Sequence, residues 1–202
     1  MESSTRGHAA PVLLVAVWVA AMCLGFSSLL HYSSAPCDPG APVTHWPADA
    51  GLGAHDGRPE LLMFAHALCP CTHATLSELE RLLGHASRVP RARVVLWTDP
   101  AQPESFDHSD LRDRVLAEPD LELVEDPHGE LARAFGCRTS GMTLYFDAQG
   151  RRRFAGGLTS SRGHEGDSVG SLALGAMLRD EPTDRGVAPV FGCALFDDEV
   201  TR

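Results

Sequence analysis

Two cysteines separated by a single proline are the residues of this sequence best suited to chemistry. Cys69 and Cys71 flank Pro70, directly after an apolar strand-like run and at the beginning of an amphipathic helical pattern. Because proline is favoured at the first helical position, Cys69 is expected at the N-cap, where free backbone N–H groups and the helix dipole stabilise an anion. A thiolate is such an anion, and it is the attacking species in disulfide exchange. The spacing therefore predicts a redox pair in which Cys69 attacks and Cys71 resolves, or the reverse.

Two other interpretations of the same segment stay open. Residues 66–73 contain four thiol and imidazole side chains of the kind that bind Cu(I) or Zn. These are His66, Cys69, Cys71 and His73. The cysteine pair is alternatively inert, as two buried thiols or as a static disulfide, in a redox-inactive domain that serves only for binding. A disulfide across so short a loop would restrain little of the unfolded chain, which favours a redox role over a purely stabilising one.

Three further cysteines follow the N-terminal apolar segment. Cys193 lies in a glycine-flanked stretch near the C-terminus and is predicted to be a third redox cysteine at the same site. Its alternative is a structural bridge to Cys37. Cys137 directly follows Gly136, where the predicted helix over 128–135 closes, and we expect it to be a core thiol, since free cysteine is among the most buried residue types.

The composition excludes several classes of function. The chain has 202 residues, with 17 basic and 27 acidic side chains and a formal net charge of −10. Every basic residue is arginine, so lysine-based Schiff-base chemistry and a P-loop lysine are excluded. The acidic balance predicts no nucleic-acid partner, and the glycine-rich run over 156–170 lacks the G-K-[ST] that a nucleotide site needs. No cofactor is expected, except copper under the metal-binding alternative.

The first thirty residues predict a membrane segment. Residues 11–30 carry no formal charge, and a run of about twenty such residues matches the hydrocarbon core of a bilayer. Arg6 precedes the run and no further arginine occurs until Arg58, so the positive-inside rule places residues 1–10 in the cytoplasm. We expect a retained anchor over 11–31 with the rest of the chain outside the cytoplasm. Cleavage as a signal peptide is the alternative.

The remaining chain predicts one domain between two irregular segments. Residues 32–59 are rich in Pro, Gly and Ala and predict a linker, residues 60–181 predict the domain, and residues 182–202 predict a C-terminal tail that carries Cys193. Strand patterns over 60–65, 91–98, 121–126, 142–147 and 151–156 alternate with helical patterns over 71–86, 109–116, 128–135 and 168–178. The alternation predicts an α/β fold with a mostly parallel sheet and one antiparallel hairpin.

A second block of residues resembles a known family. Residues 126–138 read DPHGELARAFGCR and residues 145–150 read YFDAQG. Together with the cysteine pair they resemble the membrane-anchored, TlpA-type thiol–disulfide oxidoreductases of bacteria, and most closely the RedB-type proteins. The resemblance covers about residues 60–180. It implies a thioredoxin-like three-layer fold with a central mixed sheet, a place in the bacterial cell membrane with the domain on the periplasmic face, and partners that are protein thiols and disulfides.

The same resemblance implies which residues line the site, and it also has two departures. An ungapped match puts Leu68 where the family has the first cysteine of C-x-x-C. The family's cis-proline, which faces the cysteine pair, corresponds to Gly141, preceded by Ser140. Pro70, Ser140 and Gly141 are therefore the residues expected to line the site around Cys69 and Cys71.

Overall fold

The computed structural model describes residues 6–48, 51–98 and 110–196. The chain divides into two compact units, Met1–Ala35 and Pro36–Arg202. Predictions that fall on residues 1–5, on Ser109 at the start of the predicted third helix, and on 197–202 of the predicted tail lie outside the described residues.

The described part of the first unit contains helix α1, over Arg6–Ser34. Its stretch Ala10–Ser34 has 25 residues and the composition of a membrane span. At 1.5 Å per residue this stretch is about 37 Å long, which exceeds the roughly 30 Å of a hydrocarbon core. Large apolar side chains such as Val12, Trp18 and Phe26 are more than half exposed. Among the described residues, this apolar N-terminal helix is the one long enough to cross a bilayer, and it covers the predicted anchor.

The second unit contains every strand and helix that the sequence patterns predict for it. The helices are α2 (Pro70–Leu83), α3 (Asp110–Ala117), α4 (Glu130–Ala134) and α5 (Val169–Leu178). The strands are β1 (Glu60–His66), β2 (Arg91–Trp97), β3 (Leu121–Glu125), β4 (Met142–Phe146) and β5 (Arg152–Gly156).

The five strands form one mixed sheet in the order β3-β2-β1-β4-β5. Strands β1, β2 and β3 are parallel, whereas β4 runs antiparallel to both β1 and β5. This confirms the predicted α/β class with one antiparallel hairpin, and the order is that of a thioredoxin-like fold. Central strand β1 is buried on both faces, which explains its nearly continuous apolar sequence.

A layer of helices covers each face of the sheet. Leu61 and Met63 of β1 face a core shared with α2, α3 and α5, while Leu62 and Phe64 face a second core shared with α4. The amphipathic stripe of α2, which includes Leu76 and Leu79, packs into the first of these cores. Helix α2 is therefore fixed with its N-terminus at the end of β1.

The predicted linker over 32–59 is wrong for the part that leads into the domain. Val43 N–H donates to Phe135 O at 3.2 Å. The Trp46 ring packs edge-on against Phe135 and Phe146, with centroids 5.2 and 5.3 Å away. The sequence around Trp46 has no helix or strand periodicity, so its packing could not be predicted from a local pattern. Its large apolar ring nevertheless covers the face of the sheet beside α4.

The predicted tail over 182–202 is likewise packed through its described end. Val190 and Leu195 are each 1 % exposed and belong to the second core. The segment has no regular strand or helix pattern, so its burial depends on side chains that fill gaps in an already formed domain. We call residues 190–196 the C-terminal strap.

Candidate active site

The two predicted redox cysteines lie where β1 ends and α2 begins. Cys69 is the N-cap of α2 with an extended backbone, φ −85° and ψ 109°, and Pro70 is among the first helical residues. Cys69 is only 1 % exposed, whereas Cys71 is partly exposed. Leu68, on the other side of Cys69, is 50 % exposed. The sulfur that meets solvent is thus that of Cys71.

Cys69 is the cysteine of the site whose pKa is lowered. Burial has the largest single effect and raises the pKa of this thiol, but hydrogen bonds from the side chains of Thr72 and Cys193, together with those from backbone groups, hold the pKa below its ordinary value. The backbone groups of Cys193 and Cys71 contribute less, and the Cys69 side chain makes no regular N-cap hydrogen bond. The predicted thiolate is supported, but two side chains stabilise it more than the helix terminus does.

A chain of hydrogen bonds links Ser140 to Cys69 through Thr72. His66 N–H donates to Ser140 Oγ at 2.8 Å, and Ser140 Oγ lies 2.6 Å from Thr72 Oγ1. Since the Thr72 side chain hydrogen-bonds the Cys69 sulfur and each hydroxyl has one proton, Ser140 is then the donor to Thr72. Ser140, predicted to line the site, therefore acts on Cys69 through Thr72. In a buried chain each hydrogen bond polarises the next.

The C-terminal strap brings Cys193 to Cys69. Ser140 N–H donates to Cys193 O at 2.8 Å, and Leu195 N–H donates to Arg138 O at 2.8 Å, so the strap runs antiparallel to residues 138–140. A Cβ on Gly192 would lie 2.0 Å from Ser140 O, so only glycine permits this approach. Burial, together with the neighbouring Cys69 sulfur, raises the pKa of Cys193 to about 12. Cys193 is thus the protonated neighbour that donates to the Cys69 thiolate.

Arg162 is a site residue that sequence reasoning missed. It donates from Nη2 to Cys37 Sγ at 2.8 Å and from Nη1 to Gly192 O. Burial and the negative charge of Cys69 raise the pKa of Cys71, and the charge of Arg162 opposes both. One guanidinium thus contacts the strap and two cysteines from different parts of the chain.

The loop that carries Arg162 is anchored on α2. Gly166 N–H donates to Glu78 Oε1 at 2.6 Å, and Ser77 Oγ donates to Glu165 Oε1 at 2.9 Å. This anchoring holds the loop beside the helix that begins at the cysteine pair. No local pattern could have identified Arg162, since its partners lie between 30 and 125 residues away along the chain.

Gly141 lies at the site for a reason different from that of a cis-proline. Its φ is +88°, and its N–H donates to Phe64 O at 2.8 Å. Proline fixes φ near −65° and has no N–H, so it fits neither feature. The described residues contain no cis peptide bond. A Cβ at this position would lie 3.1 Å from Thr75 Oγ1, which further favours glycine.

The four predicted metal ligands do not form a metal-binding group. Within the described part of the chain no set of three or more His, Cys, Asp and Glu side chains is arranged to hold a metal ion. His66 Nδ1 accepts from Leu68 N–H at 3.1 Å, and its ring lies 4.8 Å from that of Trp97. His73 is partly buried further along α2.

The other two cysteines are Cys137 and Cys23. Cys137 is fully buried in the second core, as predicted, and burial raises the pKa of its thiol far above the ordinary value. Cys23 is exposed on α1. All six cysteines of the chain are free thiols in this structure, and four of them meet at one end of the sheet.

Comparison with known proteins supports the fold. No protein-family model matches the chain, and neither does any curated protein. An uncharacterized conserved protein from Geobacillus kaustophilus is 19 % identical, with 82 % of this chain and 94 % of that chain covered and a TM-score of 0.57. A hypothetical protein from Sinorhizobium meliloti 1021 is 21 % identical, with 81 % and 97 % covered and a TM-score of 0.52.

The exposed lipoprotein thioredoxin of Streptococcus pneumoniae strain TIGR4 is also similar. It is 19 % identical, with 61 % of this chain and 85 % of that chain covered and a TM-score of 0.40. The thioredoxin-like assignment for the present chain rests on its own strand order.

Proposed function

We propose that this chain is a membrane-anchored, thioredoxin-like protein that carries out thiol–disulfide exchange with protein partners through Cys69 and Cys71, in the manner of the TlpA- and RedB-type proteins it resembles. The observation that carries the proposal is a Cys69 thiol with a lowered pKa beside a partly exposed Cys71. A thiolate next to a second thiol is what disulfide exchange requires. The thioredoxin-like fold supports this class of reaction.

Burial assigns the two sulfurs different tasks. A partner disulfide reaches Cys71 and not Cys69, which is 1 % exposed. The Cys71 thiol donates a hydrogen bond to the Cys69 sulfur. Cys69 therefore acts first as the base that takes the Cys71 proton while the Cys71 sulfur attacks. Of the two orders of attack that the sequence leaves open, the structure favours Cys71 as the contact sulfur.

Reduction of a partner disulfide then proceeds in two balanced steps. The Cys71 sulfur forms a mixed disulfide with one partner sulfur, and the other partner sulfur leaves and takes the proton held by Cys69. The Cys69 thiolate next attacks the Cys71 sulfur, forms the Cys69–Cys71 disulfide, and releases the first partner sulfur as a thiolate. The partner gains two electrons, the pair loses two, and the reverse sequence oxidises a partner dithiol. No cofactor takes part.

The surface around Cys71 supports a protein partner. Leu68 is 50 % exposed and Pro70 is exposed, so an apolar surface borders the accessible sulfur. An extended polypeptide that carries a cysteine gains from covering such a surface, whereas a small hydrophilic thiol gains much less. No nucleic acid or nucleotide is proposed as a partner.

Helix α1 supports the anchoring part of the proposal. Its length and apolar composition suit a single span, and Arg6 before the span favours a cytoplasmic N-terminus and an extracytoplasmic domain. Protease digestion of intact spheroplasts tests this orientation. Complete digestion of the domain supports it, and protection of the domain until the cells are lysed contradicts it.

Insulin disulfide reduction by the full chain in detergent tests the exchange activity. We expect Cys71→Ser to abolish turnover because no sulfur then meets the substrate, and we expect Cys69→Ser to accumulate a mixed disulfide at Cys71. Cys23→Ser, on the membrane helix, is the matched control and should keep full activity. If both active-site variants keep full activity, the proposal is contradicted. Copper retained stoichiometrically by the wild type and lost in Cys69→Ser would favour the metal-binding alternative.

A further inference from the structure

Cys37 and Arg162 are placed at the site by specific contacts, although the exchange described above does not need them. Cys37 N–H donates to Val190 O at 2.9 Å, and Cys37 Sγ donates to Gly192 O at 3.2 Å. Its thiol therefore lies against the backbone of the C-terminal strap. Arg162 donates to the same sulfur and to the same carbonyl.

This arrangement puts the Cys37 sulfur near Cys193. The Gly192 carbonyl oxygen is joined to the Cys193 Cα by three bonds that total about 4 Å, so the Cys37 sulfur lies at most about 7 Å from that Cα. A disulfide also requires the two Cα atoms to lie roughly 4.4–6.8 Å apart, a condition that the disulfide mapping below tests.

Cys193 is at the same time a neighbour of Cys69. Its thiol hydrogen-bonds the Cys69 sulfur, and the strap is held there by its pairing with residues 138–140. A bridge between Cys37 and Cys193 would thus have a nucleophile beside its second sulfur. A purely structural bridge is better protected when no thiolate lies next to it.

We propose that Cys37 and Cys193 form a second dithiol, which exchanges with the Cys69–Cys71 pair, so that the site holds two disulfides and passes oxidising equivalents between them. This inference rests on the proposed exchange function and adds an internal redox partner to it. The equivalents enter and leave as protein disulfides at Cys71, and small-molecule disulfides also reach the partly exposed Cys37 and Cys193.

The internal exchange conserves one disulfide and moves it in two steps. The Cys69 thiolate attacks the Cys193 sulfur of a Cys37–Cys193 disulfide, a Cys69–Cys193 bond forms, and Cys37 leaves as a thiolate. The Cys71 thiolate then attacks the Cys69 sulfur, forms the Cys69–Cys71 disulfide, and releases Cys193, which takes the proton lost by Cys71. No external electron acceptor is needed for either step.

Arg162 stabilises the leaving group of the first step. Its Nη2 lies 2.8 Å from the Cys37 sulfur, where it offers a charge-assisted hydrogen bond to the departing thiolate. Arg162 is therefore a positioning and charge-stabilising residue for internal exchange, with Cys37 as the sulfur on which it acts.

Disulfide mapping of the full chain in detergent tests the inference, with Cys23→Ser as the background for every variant. The Cys71→Ser variant is reduced, equilibrated with glutathione disulfide, and digested without reduction for peptide mass spectrometry. We expect one internal disulfide distributed between Cys37–Cys193 and Cys69–Cys193. Adding Arg162→Gln should shift this distribution about fivefold to tenfold toward Cys37–Cys193, and Arg162→Lys should shift it less.

The electron capacity of the wild-type cysteine set separates this inference from the proposed function. Fully oxidised Cys23→Ser protein should accept four electrons from a dithiol reductant, and Cys37→Ala should accept two. The proposed internal exchange is overturned if both proteins accept the same number of electrons. It is also overturned if Cys37 pairs with Cys69 while Cys193 stays free. If the Cys69–Cys71 disulfide still forms and is reduced in those cases, the proposed function remains intact. If that disulfide does not form, both the proposed function and the internal exchange are contradicted. Thermal unfolding of each variant by circular dichroism identifies any that fail to fold.

Discussion

The hydroxyl of Thr72 is the group whose removal should most clearly change the chemistry of the site. Thr72 is 1 % exposed, and its side chain contributes the largest favourable effect on the Cys69 thiolate. Thr72→Val replaces the hydroxyl by a methyl group of similar size, so that packing is nearly preserved while the hydrogen bond is lost. We expect the pKa of Cys69 to rise.

The size of the rise follows from the charge of the acceptor. A hydrogen bond to a charged group contributes about 1.5–3 kcal/mol, and one pKa unit corresponds to about 1.4 kcal/mol, so the pKa of Cys69 should rise by about one to two units. Burial of the site means that solvent does little to reduce this effect. Because exchange requires a pair that has lost its first proton, the pH at which exchange becomes fast should rise by a similar amount.

Thiolate absorbance in the ultraviolet, followed as a function of pH, measures this pKa. Subtracting the titration of the matching Cys69→Ser protein isolates the contribution of Cys69. Thr75→Val is the matched control, because Thr75 is a buried threonine of the same helix and does not contribute to the lowered pKa of Cys69. An unchanged pKa in Thr72→Val, or an equal rise in Thr75→Val, would refute the assigned hydrogen-bond chain.

Three further variants test the frame of the site. Gly141→Ala should lower the free energy of unfolding by about 1–2 kcal/mol in denaturant titrations, since φ is +88° there; no loss would contradict the assigned backbone. Asp126→Ala removes the acceptor of the Leu131 and Ala132 N–H groups at 3.1 and 2.9 Å, and calorimetry should show a fall in Tm of about 4–8 °C. Gly192→Ala should displace the C-terminal strap and uncover Cys69. Alkylation of the folded protein should then label Cys69 several times faster than in the wild type. An unchanged labelling rate would show that the strap does not cover it.

The order of strands and helices could be predicted from the sequence because each element has a strong local pattern. The apolar run of β1 and the leucine stripe of α2 each indicate their own structure, and the proline between the cysteines indicates where α2 begins. The alternation of strands and helices, followed by a hairpin, then leaves few arrangements for the sheet. The resemblance added Ser140 and Gly141, which the structure places against β1 and α2.

The rest of the site depends on contacts between distant parts of the chain. Arg162 lies 125 residues from Cys37, and the C-terminal strap binds residues 138–140 through backbone groups that no sequence pattern distinguishes. The expected stabilisation of Cys69 by the helix terminus was reasonable from position alone. Which donors lie closest to a buried sulfur is decided by tertiary packing, and here the side chains of Thr72 and Cys193 contribute more.

A redox titration of the full chain, read by mass-tagged alkylation of each cysteine, tests the central claim most directly. The protein is equilibrated over a series of dithiol and disulfide ratios, denatured in acid and tagged, so that the tag on every sulfur reports its oxidation state. We predict that Cys69 and Cys71 lose and regain their tags together as one two-electron couple. Tags on both residues that do not change at any ratio would contradict thiol–disulfide exchange at this site.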